Sequence, residues 1–158
     1  MRGMATWLVK TEPDVFSIDD FLRVKVTDWT GVRNYQARNF LMEMKDGDEV
    51  LIYHSNAEPS GVVGVAKVAA KASPDKTQFD PKSEYFEPKA TKLAPRWFCP
   101  DLKFVRKFPR QVPLEELRKT KALDGLALLQ KGSRLSVIPV SRKHFDTIVK
   151  MASQKSPA

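Results

Sequence analysis

Residues 29 to 44, WTGVRNYQARNFLMEM, constrain this chain more than any other stretch. From Ala37 onward, Ala37, Phe40, Leu41 and Met44 recur at i, i+3, i+4 and i+7, the spacing of one buried helix face. A helix over about 35–45 must therefore lie on something apolar. Gly31 permits a tight turn ahead of it. Asn34 is an N-cap candidate, because its side-chain oxygen can accept a backbone N–H of the first turn. Trp29, Arg33, Asn34, Gln36, Arg38 and Asn39 crowd around that helix start, a place whose free N–H donors suit a polar or anionic ligand. The same residues also admit a purely structural account: Trp29 as core, with Arg33 and Arg38 paired to Asp28 and Glu43.

The other elements are mixed. TWLVK at 6–10 reads as a short strand, stopped by Pro13. Ser17 caps an expected helix at about 18–24, with Asp19 and Asp20 in its first turn. EVLIYH at 49–54 and VVGVAKVAA at 62–70 have strand composition. The run GVVGVA lacks the Lys-Ser/Thr of a phosphate loop and sits inside a strand. Residues 73–100 hold five prolines and no clean period, so they read as a long irregular segment. LKFVRKF at 102–108 resumes a strand, with Leu102, Phe104, Arg106 and Phe108 expected on one face. Helical pieces follow from Pro113 and over about 122–130. RLSVIPV at 134–140 is the closing strand, and Pro139 implies an edge or a bulge. Ser141 caps a last helix built on Phe145, Ile148, Val149 and Ala152.

This is one domain's length of chain, expected over residues 4–152, with a flexible tail at 153–158. Its apolar runs are too short to span a bilayer, so no membrane partner is expected. Strand-like residues directly follow Met1 to Met4. No secretory leader is therefore expected, and either Met1 or Met4 can be the natural start. Cys99 is the only cysteine and fits a reducing cytoplasm, or a nucleus. The chain carries a net charge of +8, unevenly spread: Lys89 to Lys143 contains 14 Lys and Arg against 4 Asp and Glu. Such a stretch favours a polyanion, and Lys103, Arg106, Lys107, Arg110, Lys119 and Lys121 are the candidate phosphate contacts.

The residues support catalysis poorly. One Cys and two His, His54 and His144, exclude the common zinc spacings. Adjacent His54 and Ser55 on a strand point to opposite faces, and no nucleophile elbow is present. Neither a catalytic residue, a metal nor a cofactor is expected. Binding fares better. Aromatic side chains stack a base, and Asn, Ser and His read its polar edge, at about 1–3 kcal/mol per stacked base.

WTGVRNYQARN, together with TWLVKTEP at 6–13, MKDGDEVLIYHSN at 44–56 and RLSVIPV at 134–140, resembles the EVE domain family. That family belongs to the PUA-like superfamily, with YTH, ASCH and SRA relatives. The resemblance implies a mixed α+β fold: a small curved PUA-like β-barrel with helices packed outside. It also implies DNA or RNA bearing a modified base as partner, the base extruded into a pocket. The matching positions are Trp7, Lys10, Trp29, Val32, Arg33, Asn34, Arg38, Asn39, His54, Ser55, Asn56 and Ser136. Trp29, Val32 and Asn34 would line the pocket, and His54 and Ser55 would add polar contacts. Lys10, Arg33 and Arg38 would sit at its mouth or brace its wall. The alternative is an enzyme or accessory factor that acts on a nucleotide or tRNA through the same pocket.

Overall fold

The computed structural model describes residues 4–155. Residues 1–3, which bear on the start at Met1 or Met4, and residues 156–158 of the expected tail lie outside it. The first strand, β1 (Thr6–Thr11), lies between two later ones: β3 (Glu49–His54), parallel to it, and β6 (Val137–Val140), antiparallel. Strands β4 (Gly61–Pro74), β5 (Phe98–Pro113) and β2 (Val26–Asp28) extend the sheet outward from β3, all antiparallel. The order is β2-β5-β4-β3-β1-β6.

The expected barrel is corrected here: the sheet is open. Closure would require β2 to hydrogen-bond β6. Those two edge strands have only three and four residues, and Pro139 removes a donor from β6. The curl sits inside the sheet instead. The β4–β5 pairing slips at four places along its length, and each such irregularity bends the strand and adds twist.

Period-two alternation then builds two cores, one per face. Leu8, Leu51, Tyr53 and Ile138 face the last helix, α4 (Arg142–Ala152), and the short helix α3 (Leu114–Lys119). Trp7, Val9, Val50, Ile52 and Val137 face α1 (Ile18–Val24) and α2 (Tyr35–Glu43). Neighbouring residues along β1, β3 and β6 thus belong to opposite layers. In β5 the alternation breaks. Leu102 and Phe104 pack under α1 and α2, whereas Phe108 and Val112 join the other core. The single face expected for Leu102, Phe104 and Phe108 is lost because the register shifts between Arg106 and Phe104.

Helix α2 docks as its spacing requires. Ala37, Leu41 and Met44 are at most 1% exposed, and Phe40 meets Trp7 at 6.1 Å. Helix α1 begins with a reciprocal cap between Ser17 and Asp20. Residues 122–130 form two single 3₁₀ turns rather than one helix. The expected tail is anchored at its start, since Ser153 caps α4 and the Gln154 carbonyl accepts from Arg110 Nε at 2.7 Å. No helix among the described residues is long and apolar enough to cross a membrane.

Candidate functional site

The parallel pair β1 and β3 ends at the same level, and β6 begins there. Backbone bonds lock the three together: Ser55 N donates to Thr11 O at 3.0 Å, and Lys10 N donates to Ser136 O at 2.9 Å. Beside these strand ends lies a cavity of about 670 Å³, within the roughly 300–1,000 Å³ usual for small-ligand sites. Lys10, Ser55, Asn56, Arg134 and Ser136 line it from the strand ends. Phe16, Trp29, Val32, Arg33 and Tyr85 line it from the loops.

The aromatic side is rigid. Trp29 is 7% exposed, packed edge-on against Phe16 at 6.0 Å and tilted against Phe21 at 6.2 Å. Its backbone N–H is held by Pro100 O at 3.0 Å. Next along the chain, Gly31 takes φ +88°, and an added Cβ would stand 2.8 Å from the Tyr85 ring. Only glycine suits both that conformation and that approach.

Arg33 is the bolt of this wall. It donates to Asp75 Oδ2 and Thr77 Oγ1, both at 3.0 Å, and to the Tyr85 carbonyl at 2.8 Å. Its guanidinium also lies 5.3 Å from the Tyr85 ring and 5.2 Å from the Trp97 ring. Trp97 stacks on Tyr35 at 4.8 Å, and Arg38 caps Tyr35 at 4.8 Å. A continuous column, Tyr85–Arg33–Trp97–Tyr35–Arg38, therefore runs from the cavity across the start of α2. Below it, fully buried Gln78 clasps the irregular segment. Its amide donates to Asp75 O and Trp97 O and accepts from the N–H groups of Arg96 and Trp97. Burial works against the charge on Asp75, but hydrogen bonds from Thr77, Gly31 and Arg33 outweigh it and hold the carboxyl below its ordinary range.

Seven of the twelve residues proposed from sequence line this cavity: Lys10, Trp29, Val32, Arg33, Ser55, Asn56 and Ser136. Five lie outside it, each engaged elsewhere. Trp7 is buried and donates to Asp48 Oδ2 at 3.0 Å. Asn34 caps α2, accepting from Ala37 N at 2.9 Å. Arg38 donates to Arg96 O at 2.8 Å, and Asn39 accepts from Arg38. His54 Nε2 accepts from Ile18 N at 3.1 Å at the start of α1; burial holds its pKa below the ordinary value, against a smaller opposing effect of Asp19. The expected partners of the arginines also change. Arg33 pairs with Asp75, and Asp28 is met by Lys76 at 3.5 Å.

Glu12, Phe16, Asp28, Tyr85 and Arg134 were not foreseen as lining. Glu12 was within reach, since it stands in the TEP that ends β1. Tyr85 carries no local signal, because its position depends on the folding of residues 75–97 across the Gly31 turn.

Among the candidate phosphate contacts, Lys103, Arg106 and Lys121 are exposed. Arg110 is committed inward, to both oxygens of Glu116 at 2.8 and 2.7 Å and to Met151 O. Lys107 and Lys119 form exposed pairs with Asp19 and Glu115, of a kind worth little and readily exchanged.

The EVE domain model matches residues 5–151. The chain belongs to the EVE domain family. Thymocyte nuclear protein 1 of Gallus gallus is 39% identical over an alignment of 168 positions, which covers 94% of this chain and 69% of the relative. An EVE-family crystal structure, that of human THYN1 protein in complex with DNA containing 5-methylcytosine, superposes with TM-score 0.90 at 35% identity, covering 96% of this chain and 99% of that one. A Pseudomonas syringae protein superposes with TM-score 0.91 at 44% identity, covering 94% and 99%. An ASCH protein mutant from Zymomonas mobilis, at 11% identity and TM-score 0.56, shares the fold alone.

Proposed function

We propose that this EVE domain is a non-catalytic nucleic-acid-binding module that reads a modified base, held in the cavity between the strand ends and the Trp29–Arg33 loop. The observation that carries this reading is the whole-length likeness to the human protein crystallised with 5-methylcytosine DNA. The cavity supplies what such a base needs: aromatic faces in Phe16, Trp29 and Tyr85, and polar groups beside them, among them Thr30 and Asn56. Extruding a base costs a few kcal/mol, which stacking and polar contacts inside a pocket must return.

The residues with reactive side chains support binding without turnover. Cys99 is buried, and burial, followed by the charges of Asp75, Asp28 and Asp101, pushes its thiol up to about 12. A thiol so placed does not supply a thiolate near neutrality. His54 spends its acceptor nitrogen on a helix start.

The test is anisotropy titration of duplexes that differ only in cytosine or 5-methylcytosine, each at two salt concentrations. The methylated duplex should bind more tightly at both, while overall affinity falls with salt. Trp29→Ala should weaken binding by about 1–3 kcal/mol if its ring is the stacking platform, with melting followed in parallel because the ring is also core. Equal binding of both duplexes would overturn the preference for that modification.

A further inference from the structure

The cavity has two chemically different ends. Its loop side is aromatic. Its strand-end side gathers Lys10, Ser55, Arg134 and Ser136 from three strand termini that backbone bonds hold side by side. These four, with Lys10 and Ser136 partly buried and Arg134 exposed at the rim, have side chains that the fold leaves without partners. Among the described residues, neither cation has an ion-pair partner within 4.0 Å, and none of the four side chains makes a hydrogen bond to the protein. Arg33, on the opposite wall, has all three of its guanidinium nitrogens engaged.

The carboxylates of the cavity do not fill that gap. Glu12 is taken by the Asn56 amide, and Asp28 is met by Lys76. Lys10 is half-buried, and its nearest π partner is the Tyr53 ring at 5.8 Å. Burial lowers its pKa, so a counter-charge placed there would favour its charged form. An ammonium, a guanidinium and two hydroxyls form a donor set suited to a tetrahedral anion.

We propose that Lys10, Arg134, Ser55 and Ser136 form a phosphate subsite, which holds the phosphodiester flanking the base that occupies the aromatic end. This rests on the base-reading proposed above and adds a ligand group to it. It also moves the decisive phosphate contact from the exposed face of β5 into the cavity. A phosphate gripped there fixes the register of the strand, so that a single nucleotide is presented to Trp29 and Tyr85. Serine hydroxyls at both strand ends orient the anion, while the two cations supply its counter-charge.

The experiment pairs protein variants with a neutralised phosphate. Lys10→Gln, Arg134→Gln and the double variant are titrated by anisotropy with a methylated duplex. The duplex carries either a normal linkage or a methylphosphonate at the phosphate flanking the modified base. Melting temperatures confirm that each variant is folded. Each single variant should bind the normal duplex about tenfold more weakly, the order lost when a hydrogen bond to a charged group is removed. The logarithmic salt slope should shrink by about one for each cation. The methylphosphonate should weaken the parent similarly and the double variant, which keeps only the two serines, much less, and this loss of additivity is the signature of direct contact.

Additive losses, or folded variants that bind as the parent does, overturn the subsite. The two readings separate cleanly. If the parent binds methylated and unmethylated duplexes equally but the coupling persists, the preference for 5-methylcytosine falls and the phosphate subsite stands. If the base preference persists without coupling, the subsite alone falls. A parent that binds neither duplex overturns both.

Discussion

Asp75→Ala should cost this fold more than any other single change of an acidic residue. The side chain is 1% exposed and accepts four hydrogen bonds: from Gly31 N and Thr77 N at 2.8 Å, Thr77 Oγ1 at 2.5 Å and Arg33 Nη1 at 3.0 Å. Its removal orphans two backbone donors and leaves a largely buried guanidinium, 21% exposed, without its counter-charge. Breaking a buried pair by removing one partner costs about 3–5 kcal/mol, a large share of the roughly 5–15 kcal/mol that holds a domain together. Urea unfolding followed by tryptophan fluorescence measures it directly, because Trp29 and Trp97 flank the site. The carboxyl is held below its ordinary value of 3.8. The stability it contributes is therefore complete above that value and disappears as pH falls through the folded-state pKa. The parent should lose stability in that acidic window, and Asp75→Asn should lose less of it there. A cost below about 1 kcal/mol for Asp75→Ala, no more than an average substitution, would refute the assignment of Asp75 as the anchor of the cavity wall.

Gly31→Ala should destabilise through both its positive φ and its approach to Tyr85. Adding Tyr85→Ala relieves only the clash, so about 1–2 kcal/mol of left-handed strain should persist in urea unfolding. His54 should titrate below 6.5 by imidazole NMR, because burial disfavours its charged form. With the unfolded value near 6.5, its contribution is complete above that pH and is lost as pH falls toward the lower folded value; a midpoint above 6.5 contradicts the bond to Ile18 N. Cys99 should resist alkylation in the native protein at pH 8 and react once urea unfolds the chain, as a thiol pushed up to about 12 requires. Fast native labelling would show that it is not buried as described.

How far the fold and the site were legible in the sequence depends on where each residue's polar groups end up. Repeating patterns were readable. The α2 face, the Ser17 and Ser141 caps, and the strands β1, β3 and β4 all follow from local chemistry, as does the edge position of Pro139. What escaped depends on pairings distant in the chain: the short β2 on β5, the bulges that carry Phe108 across the sheet, and the Gln78 clasp that orders residues 75–97. Polar residues near a helix start proved the least certain guides to a ligand. A helix leaves its first N–H groups without partners, and those donors claimed Asn34 and His54. Lys10, Ser55 and Ser136 stand at strand ends, where the ladder bonds backbone to backbone and makes no demand on side chains. Their donors remain available to the cavity, and that difference separates its polar end from the polar residues that merely hold the fold together.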